Sequence, residues 1–272
     1  MIRRSVSIIH VPRRFLGTSF PTQPTSKTKK GALIVGAGEG IGQALCRRFK
    51  LEGYVTGAAR RSPGGLDFLK ENGTLDVAFD GFDARKEDHV KKMFEEFESH
   101  CDSNIEVVVF NIGANIKFPI LETTKRKFEK CWEMACLSGF LVGREAARSM
   151  TKTAKGDPSG TIIFTGATAS MRGASGFSAF SVAKGGLRQL SQSMARELGP
   201  KGVHVAHVVI DGAVDSPFIR ENFKDLLAKA PSHSIVDPDQ VADAYVFLHN
   251  QTRRGRSCWT HEMDLRPSIE KW

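Results

Sequence analysis

Tyrosine is almost missing from this sequence. The 272 residues include two, Tyr54 and Tyr245, so a proton transfer through a phenol has only these groups to draw on. Cysteine is sparse and unpatterned. Cys46, Cys101, Cys131, Cys136 and Cys258 are odd in number and show no Cys-x-x-Cys spacing. That pattern argues against a disulfide framework and a structural zinc site, and the five read mainly as small core residues. No apolar run approaches the roughly 20 residues that span a bilayer. Acidic residues are absent from the start of the chain, where the first is Glu39.

That last absence explains the net charge of +9. Seven of the 39 Lys and Arg residues fall in the first 30 positions, and the remainder exceed the 30 acids by two. The basicity belongs to the leader, and the body of the chain carries no charge excess that would call for nucleic acid. Residues 1–28 are rich in Arg, Ser and Thr, with Ile8, Ile9, Val11, Phe15, Leu16 and Phe20 as an apolar component. This is the composition of an organellar transit peptide, mitochondrial matrix ahead of plastid. The alternative is a disordered basic tail on a cytoplasmic protein. Pro12, Pro21 and Pro24 argue against a folded helix there.

From residue 29 to 272 the chain reads as one domain of alternating strands and helices. Strands are expected at Ala32 to Gly36, Tyr54 to Ala59, Leu75 to Phe79, Glu106 to Asn111, Thr161 to Thr165 and Val203 to Ile210, with a last one around Cys258 to Leu265. Helices are expected at Gly40 to Glu52, Asp83 to His100, Thr123 to Met150 with a break near Ala135, Gly176 to Leu198 and Asp237 to Asn250. Ser62 to Gly65 reads as a loop and Lys155 to Gly160 as a turn. Val107-Val-Val-Phe110 is apolar throughout, as in the middle of a parallel sheet. Repeated βα units imply an α/β fold with a doubly wound parallel sheet of Rossmann type.

Gly36, Gly38, Gly40, Ile41 and Gly42 lie between the first strand and first helix. Glycines there let the backbone approach a pyrophosphate at a helix N-terminus, although such a turn can also serve packing alone. An NAD site places an acid near the end of the second strand. This strand ends instead in Arg60-Arg61, and no acid lies between Glu52 and Asp67. Two guanidiniums favour NADP(H) over NAD(H); the alternative is a pair of solvated strand-end charges.

Together these residues resemble the short-chain dehydrogenase/reductase family over about residues 31 to 220. Gly36 to Gly42 resembles the T-G-x-x-x-G-x-G loop, with Val35 in place of the threonine. Asp83 resembles the acid that contacts adenine. Asn111-Ile-Gly113 resembles N-A-G, and Asp211-Gly-Ala-Val-Asp-Ser216 resembles P-G-x-x-x-T, which brings Gly212 to the nicotinamide. Phe180-Ser-Val-Ala-Lys184 resembles Y-x-x-x-K without the tyrosine. The resemblance implies that tyrosine moves the proton, lysine binds the ribose, serine holds the substrate oxygen and asparagine positions a water. Of these, Lys184 alone matches. Phe180, Ala167 and Cys136 stand at the tyrosine, serine and asparagine positions, and a one-residue slip brings Thr168 to the serine's place.

The candidate catalytic groups are therefore Lys184 and Thr168. Thr168 itself, Ser170, Ser178, Cys136, Asp211 and Asp215 could each face the pocket, and for each the alternative is a surface or loop-stabilising role; His207 reads as a structural histidine inside a strand. No metal cluster is expected. Hydride transfer to an activated C=C bond or a carbonyl with an unusual proton source is one reading. The other is an inactive homologue serving as an organellar scaffold, assembly factor or complex subunit. An enzyme would keep an open pocket around Phe118, Met171 and Phe218, whereas a scaffold would fill it with Phe180 and Met171. The resemblance also implies a homodimer or homotetramer, built through helices whose small residues include Ala183, Gly185 and Gly186. Phe180→Tyr alone is expected to raise ketone reduction by less than about a hundredfold, since Ala167 and Cys136 remain; steady-state assays of the purified variant check this.

Overall fold

The computed structural model describes residues 28–269 apart from 103, 114, 154–159, 223, 225–230 and 232. The leader up to residue 27 and nearly all of the turn expected after Lys155 lie outside the described residues.

Seven parallel strands form one sheet in the order β3-β2-β1-β4-β5-β6-β7. They are β1 (Gly31–Val35), β2 (Val55–Arg60), β3 (Val77–Asp80), β4 (Ile105–Phe110), β5 (Gly160–Thr165), β6 (Val203–Ile210) and β7 (Glu262–Leu265). The central strands are buried on both faces, which is why β4 reads as a continuous apolar run. Successive side chains alternate between two cores. Ala32, Ile34, Val107, Val109 and Ile163 face α1 (Ile41–Leu51), α2 (Asp67–Glu71) and the helix Pro238–Arg253. Leu33, Val35, Val108, Phe110 and Ile162 face α3 (Glu87–Ser99), α5 (Ser138–Thr153) and α6 (Ser178–Leu198). Two further α-helices among the described residues are α4 (Lys125–Trp132) and α7 (Pro217–Asn222), and Pro238–Arg253 is α8.

Several boundaries differ from expectation. Asp83 does not open a helix. It sits in the loop ahead of α3, where its carboxylate accepts the Arg85 amide at 3.1 Å, an interaction that favours a turn over a helix. The break expected near Ala135 is a π turn at Glu133–Leu137 that joins α4 to α5. The Ser138 hydroxyl donates back to the Met134 carbonyl there, and such turns recur at functional sites. The last strand is shorter than expected, beginning at Glu262. The short helices α2 and α7 were not anticipated, because each is too brief to show a period.

Both tyrosines are buried and hydrogen-bonded. Tyr54 precedes β2, and its hydroxyl is 2.6 Å from His249 Nε2. Tyr245 is fully buried on α8 with its hydroxyl 2.8 Å from Thr165 Oγ1. His249 also meets Thr161 Oγ1 at 2.9 Å. Burial brings the His249 pKa down to about 3 and the His207 pKa down to about 4. Neutral His207 then donates from Nδ1 to Glu262 at 3.1 Å, the hydrogen-bonded role expected of it.

Both histidines are neutral in the folded chain, while the unfolded chain protonates them near their ordinary value of about 6.5. Their contribution is complete above that pH and is lost as pH falls toward the folded values. Urea unfolding should therefore show stability falling between pH 6.5 and 4.5, by up to about 1.4 kcal/mol per pH unit for each histidine. His249→Gln should flatten that slope.

Candidate functional site

The first loop is shaped by contact and by conformation. Gly40, the residue before α1, has φ 137, which a side chain would oppose. A Cβ at Gly42 would lie 2.6 Å from both the Ala37 Cα and the Gly36 carbonyl oxygen. The helix can thus begin directly against the loop, with Ile41 buried beneath it. Gly38 differs: a Cβ there would meet nothing within 4 Å. The glycine turn thus opens onto free space at a helix N-terminus, where backbone N–H groups lack intrahelical partners and favour an anion. Asn111, just past β4, braces the loop. Its side-chain amide donates to the Gly36 carbonyl at 3.0 Å, and its backbone amide donates to Val35 at 2.8 Å.

Beside this loop a cavity of about 290 Å³ opens at the carboxyl ends of β1, β2 and β4. Val35, Ala59, Phe82 and Ile112 contribute apolar surface, and Gly36, Gly38, Asn111 and Gly113 line the side toward the loop. Arg60, Arg61, Asp83 and Arg85 also line it. Arg60 donates to the Gly65 carbonyl at 3.1 Å, and Arg61 reaches toward the Met134 sulfur at 4.0 Å. Asp83 is held fork to fork by Arg85, at 2.9 and 2.7 Å. Those bonds pull the Asp83 pKa down to about 2. Arg85 was missed in the sequence, although its place two residues after Asp83 was the available signal.

The other half of the cleft lies over β4, β5 and β6. Lys184 on α6 is 3% exposed, and its ammonium donates to the carbonyls of Ile112 at 3.0 Å and Thr165 at 2.8 Å. Burial lowers its pKa to about 8. Two of its three N–H donors are thus used by the backbone. Phe180, one turn earlier, is 7% exposed and packs with Cys131, Ala135 and Ala183, with Ala167 against the same cluster. Cys136 lies in the π turn, where a Cβ on Gly186 would come 2.9 Å from its sulfur.

Thr168 stands on the turn after β5, and its hydroxyl donates to Asp211 Oδ1. Asp211 was expected to serve a surface or loop-stabilising role. It is buried at the end of β6, with its other oxygen 3.0 Å from an Arg266 guanidinium nitrogen, and so ties the turn after β5 to the segment after β7. Arg266 also forks onto Asp264, at 3.1 and 2.5 Å. These partners are distant in sequence, so only the substitution of Asp for the family's proline could have drawn attention to the group. Gly212 follows, where a Cβ would meet Pro267 at 2.8 Å. Asp215 pairs with Arg220. Met171 and Phe218 are exposed, while Phe118 is half-buried beneath the Lys127 ammonium, 3.7 Å from the ring centroid. Among the described residues there is no cluster of His, Cys, Asp and Glu able to hold a metal, and no helix is long and apolar enough to cross a membrane.

The sequence model of a family described as short chain dehydrogenase matches residues 30–226. The chain belongs to the short-chain dehydrogenase family. It is similar to a short-chain dehydrogenase from Rhodopseudomonas palustris of known structure, 42% identical, with a TM-score of 0.70 over 88% of this chain and 98% of that one. A 3-oxoacyl-[acyl-carrier-protein] reductase, MabA, from Mycobacterium avium is 29% identical over 226 residues, covering 82% of this chain and 83% of the relative. A 3-oxoacyl-[acyl-carrier-protein] reductase from Bos taurus is 28% identical over 221 residues, covering 80% and 90%. The family binds a nicotinamide cofactor. The residues present fit one: a glycine turn with free space at Gly38, a brace at Asn111, and a cavity with an apolar wall and a cationic rim.

Proposed function

We propose that the protein binds NADP(H) at the carboxyl ends of its strands and reduces an activated C=C bond or a carbonyl without a phenol. The observation that carries this reading is the Thr168 hydroxyl bonded to Asp211, itself held by Arg266. Asp211 is buried and has a partner on each oxygen, and Thr168 and Arg266 are only partly buried, so the series joins a buried carboxylate to groups that solvent reaches.

The bound nicotinamide would supply or take the hydride. Thr168, with its proton committed to Asp211, keeps oxygen lone pairs that can accept a further hydrogen bond. It accepts the proton of a substrate hydroxyl while its own passes to Asp211 Oδ1. In reduction Asp211 first takes a proton from water, against its ion pair with Arg266, and the two protons then move back, from Asp211 to Thr168 and from Thr168 to the substrate oxygen. Arg266 aligns the carboxylate and stabilises its charged form. Phe180 supplies an apolar wall that excludes water, and the third donor of Lys184 serves the ribose. Arg60 and Arg61 favour the 2′-phosphate. The 3-oxoacyl-[acyl-carrier-protein] reductases among the relatives make acyl thioesters the substrate class to screen.

The second reading is a non-catalytic scaffold, favoured by the burial of Phe180 against Ala167. Exposed Met171, 49% accessible, counts against a filled pocket. In either reading, residues 1–28 are proposed to direct the chain to the mitochondrial matrix. Self-association is proposed through α5 and α6, where Phe140 and Val182 are exposed.

Calorimetric titration of the full chain with NADPH and NADH, followed by stopped-flow NADPH oxidation with crotonoyl-CoA and 2-cyclohexenone, separates the readings. The proposal expects micromolar NADPH binding. It also expects Thr168→Val and Asp211→Asn each to slow turnover about 10²-fold or more with NADPH affinity unchanged. NADPH binding with no turnover on either acceptor would favour the scaffold. Binding of neither nucleotide would overturn the cofactor assignment itself.

A further inference from the structure

The cavity at the ends of β1, β2 and β4 brings three guanidiniums to one carboxylate. Their partners are not equivalent. Arg60 engages the neutral Gly65 carbonyl and Arg61 the neutral Met134 sulfur. Among the described residues neither forms an ion pair with a carboxylate. Arg85 is committed differently. It meets Asp83 through Nε at 2.9 Å and Nη2 at 2.7 Å, while its backbone amide donates to the same carboxylate at 3.1 Å. Its remaining nitrogen lies 3.9 Å from Glu133.

The charge balance follows from those pairings. A phosphate monoester carries about −1.5 to −2 at neutral pH. Two guanidiniums facing neutral groups match that charge. A bare carboxylate on the same wall would cancel one of them and repel the phosphate. Two parallel N–H···O bonds are the geometry in which Arg and a carboxylate pair most strongly. The turn geometry supports the pairing independently, since the Asp83 carboxylate caps the Arg85 amide two residues on and so fixes both side chains on one short loop.

We infer that Arg85 is a specificity-determining residue, one that selects a 2′-phosphorylated nucleotide by neutralising Asp83 and thereby leaving Arg60 and Arg61 free to hold the phosphate. The inference rests on the NADP(H) reading above. It assigns Arg85 no grip on the phosphate itself. Asp83 Oδ2 accepts a single bond from Arg85, so this oxygen keeps a lone pair for the amino group of a bound base. The acid is silenced as a charge and kept as an acceptor. A ribose without the phosphate should be indifferent to that silencing.

The test is the ratio of NADH to NADPH dissociation constants, measured by calorimetry on the full chain and on Arg85→Gln, Asp83→Asn and the double variant. Arg85→Gln is expected to lower the ratio about tenfold by weakening NADPH, while NADH changes less than about threefold. Asp83→Asn should raise the ratio above that of the unaltered chain, because it leaves the Arg85 charge without its close carboxylate partner. The double variant should restore it to within about threefold, because with the carboxylate gone there is nothing left to neutralise. An unchanged ratio in Arg85→Gln would overturn the inference. So would a double variant as impaired as Arg85→Gln, which would mean that Arg85 holds the phosphate directly. Should Arg85→Gln fail to fold, comparison of the double variant with the unaltered chain decides the same point: ratios within about threefold support neutralisation, and a clearly lower ratio in the double variant refutes it. An unaltered chain that binds NADH but not NADPH, or neither, overturns the NADP(H) reading and this inference with it. That outcome is distinct from NADPH binding with an unresponsive ratio.

Discussion

The reversal of strand order between β1 and β4 is the constraint on which this molecule depends. β1 is followed outward by β2 and β3 on one side, while β4 to β7 run outward on the other. Connections leaving the two central strands must diverge, so a crevice opens at their carboxyl ends. The polar groups of the candidate site reach the same edge because parallel strands all end there. Asn111, past β4, closes the crevice floor by donating to the Gly36 carbonyl across it. The glycine loop, the cationic cavity and the Thr168–Asp211 pair are three consequences of one topology.

Electrostatics then divides the crevice. On the β2 side the charges are guanidiniums at a half-open rim, where water moderates their interactions. On the β5 and β6 side they are buried. The Lys184 ammonium is tied to backbone carbonyls of two strand ends, which joins α6 to the sheet. Asp211 is buried with Thr168 and Arg266 as partners. Leaving any of these groups unpaired would cost on the order of 1–3 kcal/mol or more, so the arrangement requires partners drawn from α6, β6 and the segment after β7. Phe180 sits among these polar groups within an apolar cluster that includes Ala167.

The fold was legible because its signals are local or periodic. The run Val107 to Phe110 marked a strand buried on both faces, and the stripe of Val90, Met93, Phe94 and Phe97 marked the buried side of α3. The glycine turn was legible because conformation demands glycine there. Asp83 was misplaced at a helix start because its side chain serves the Arg85 amide, a competition invisible to hydrophobic periodicity. The partners of Asp211 were illegible for a different reason. They lie 43 residues earlier and 55 residues later, and no local pattern encodes a contact of that range. The pairing that offsets the charge of Asp83 lay two residues away and was passed over, because a sequence shows neighbours without showing which way their side chains turn.

The central claim is that the nicotinamide half of the crevice works through Thr168 and Asp211 in place of a phenol. A crystal structure of the full chain with NADPH tests it most directly. The account predicts an ordered nicotinamide over the ends of β4 to β6, with Thr168 Oγ1 the polar side-chain atom nearest the reactive carbon and still bonded to Asp211. A nicotinamide kept out of that space by Phe180 and its neighbours, or one that leaves Thr168 out of reach, would contradict it.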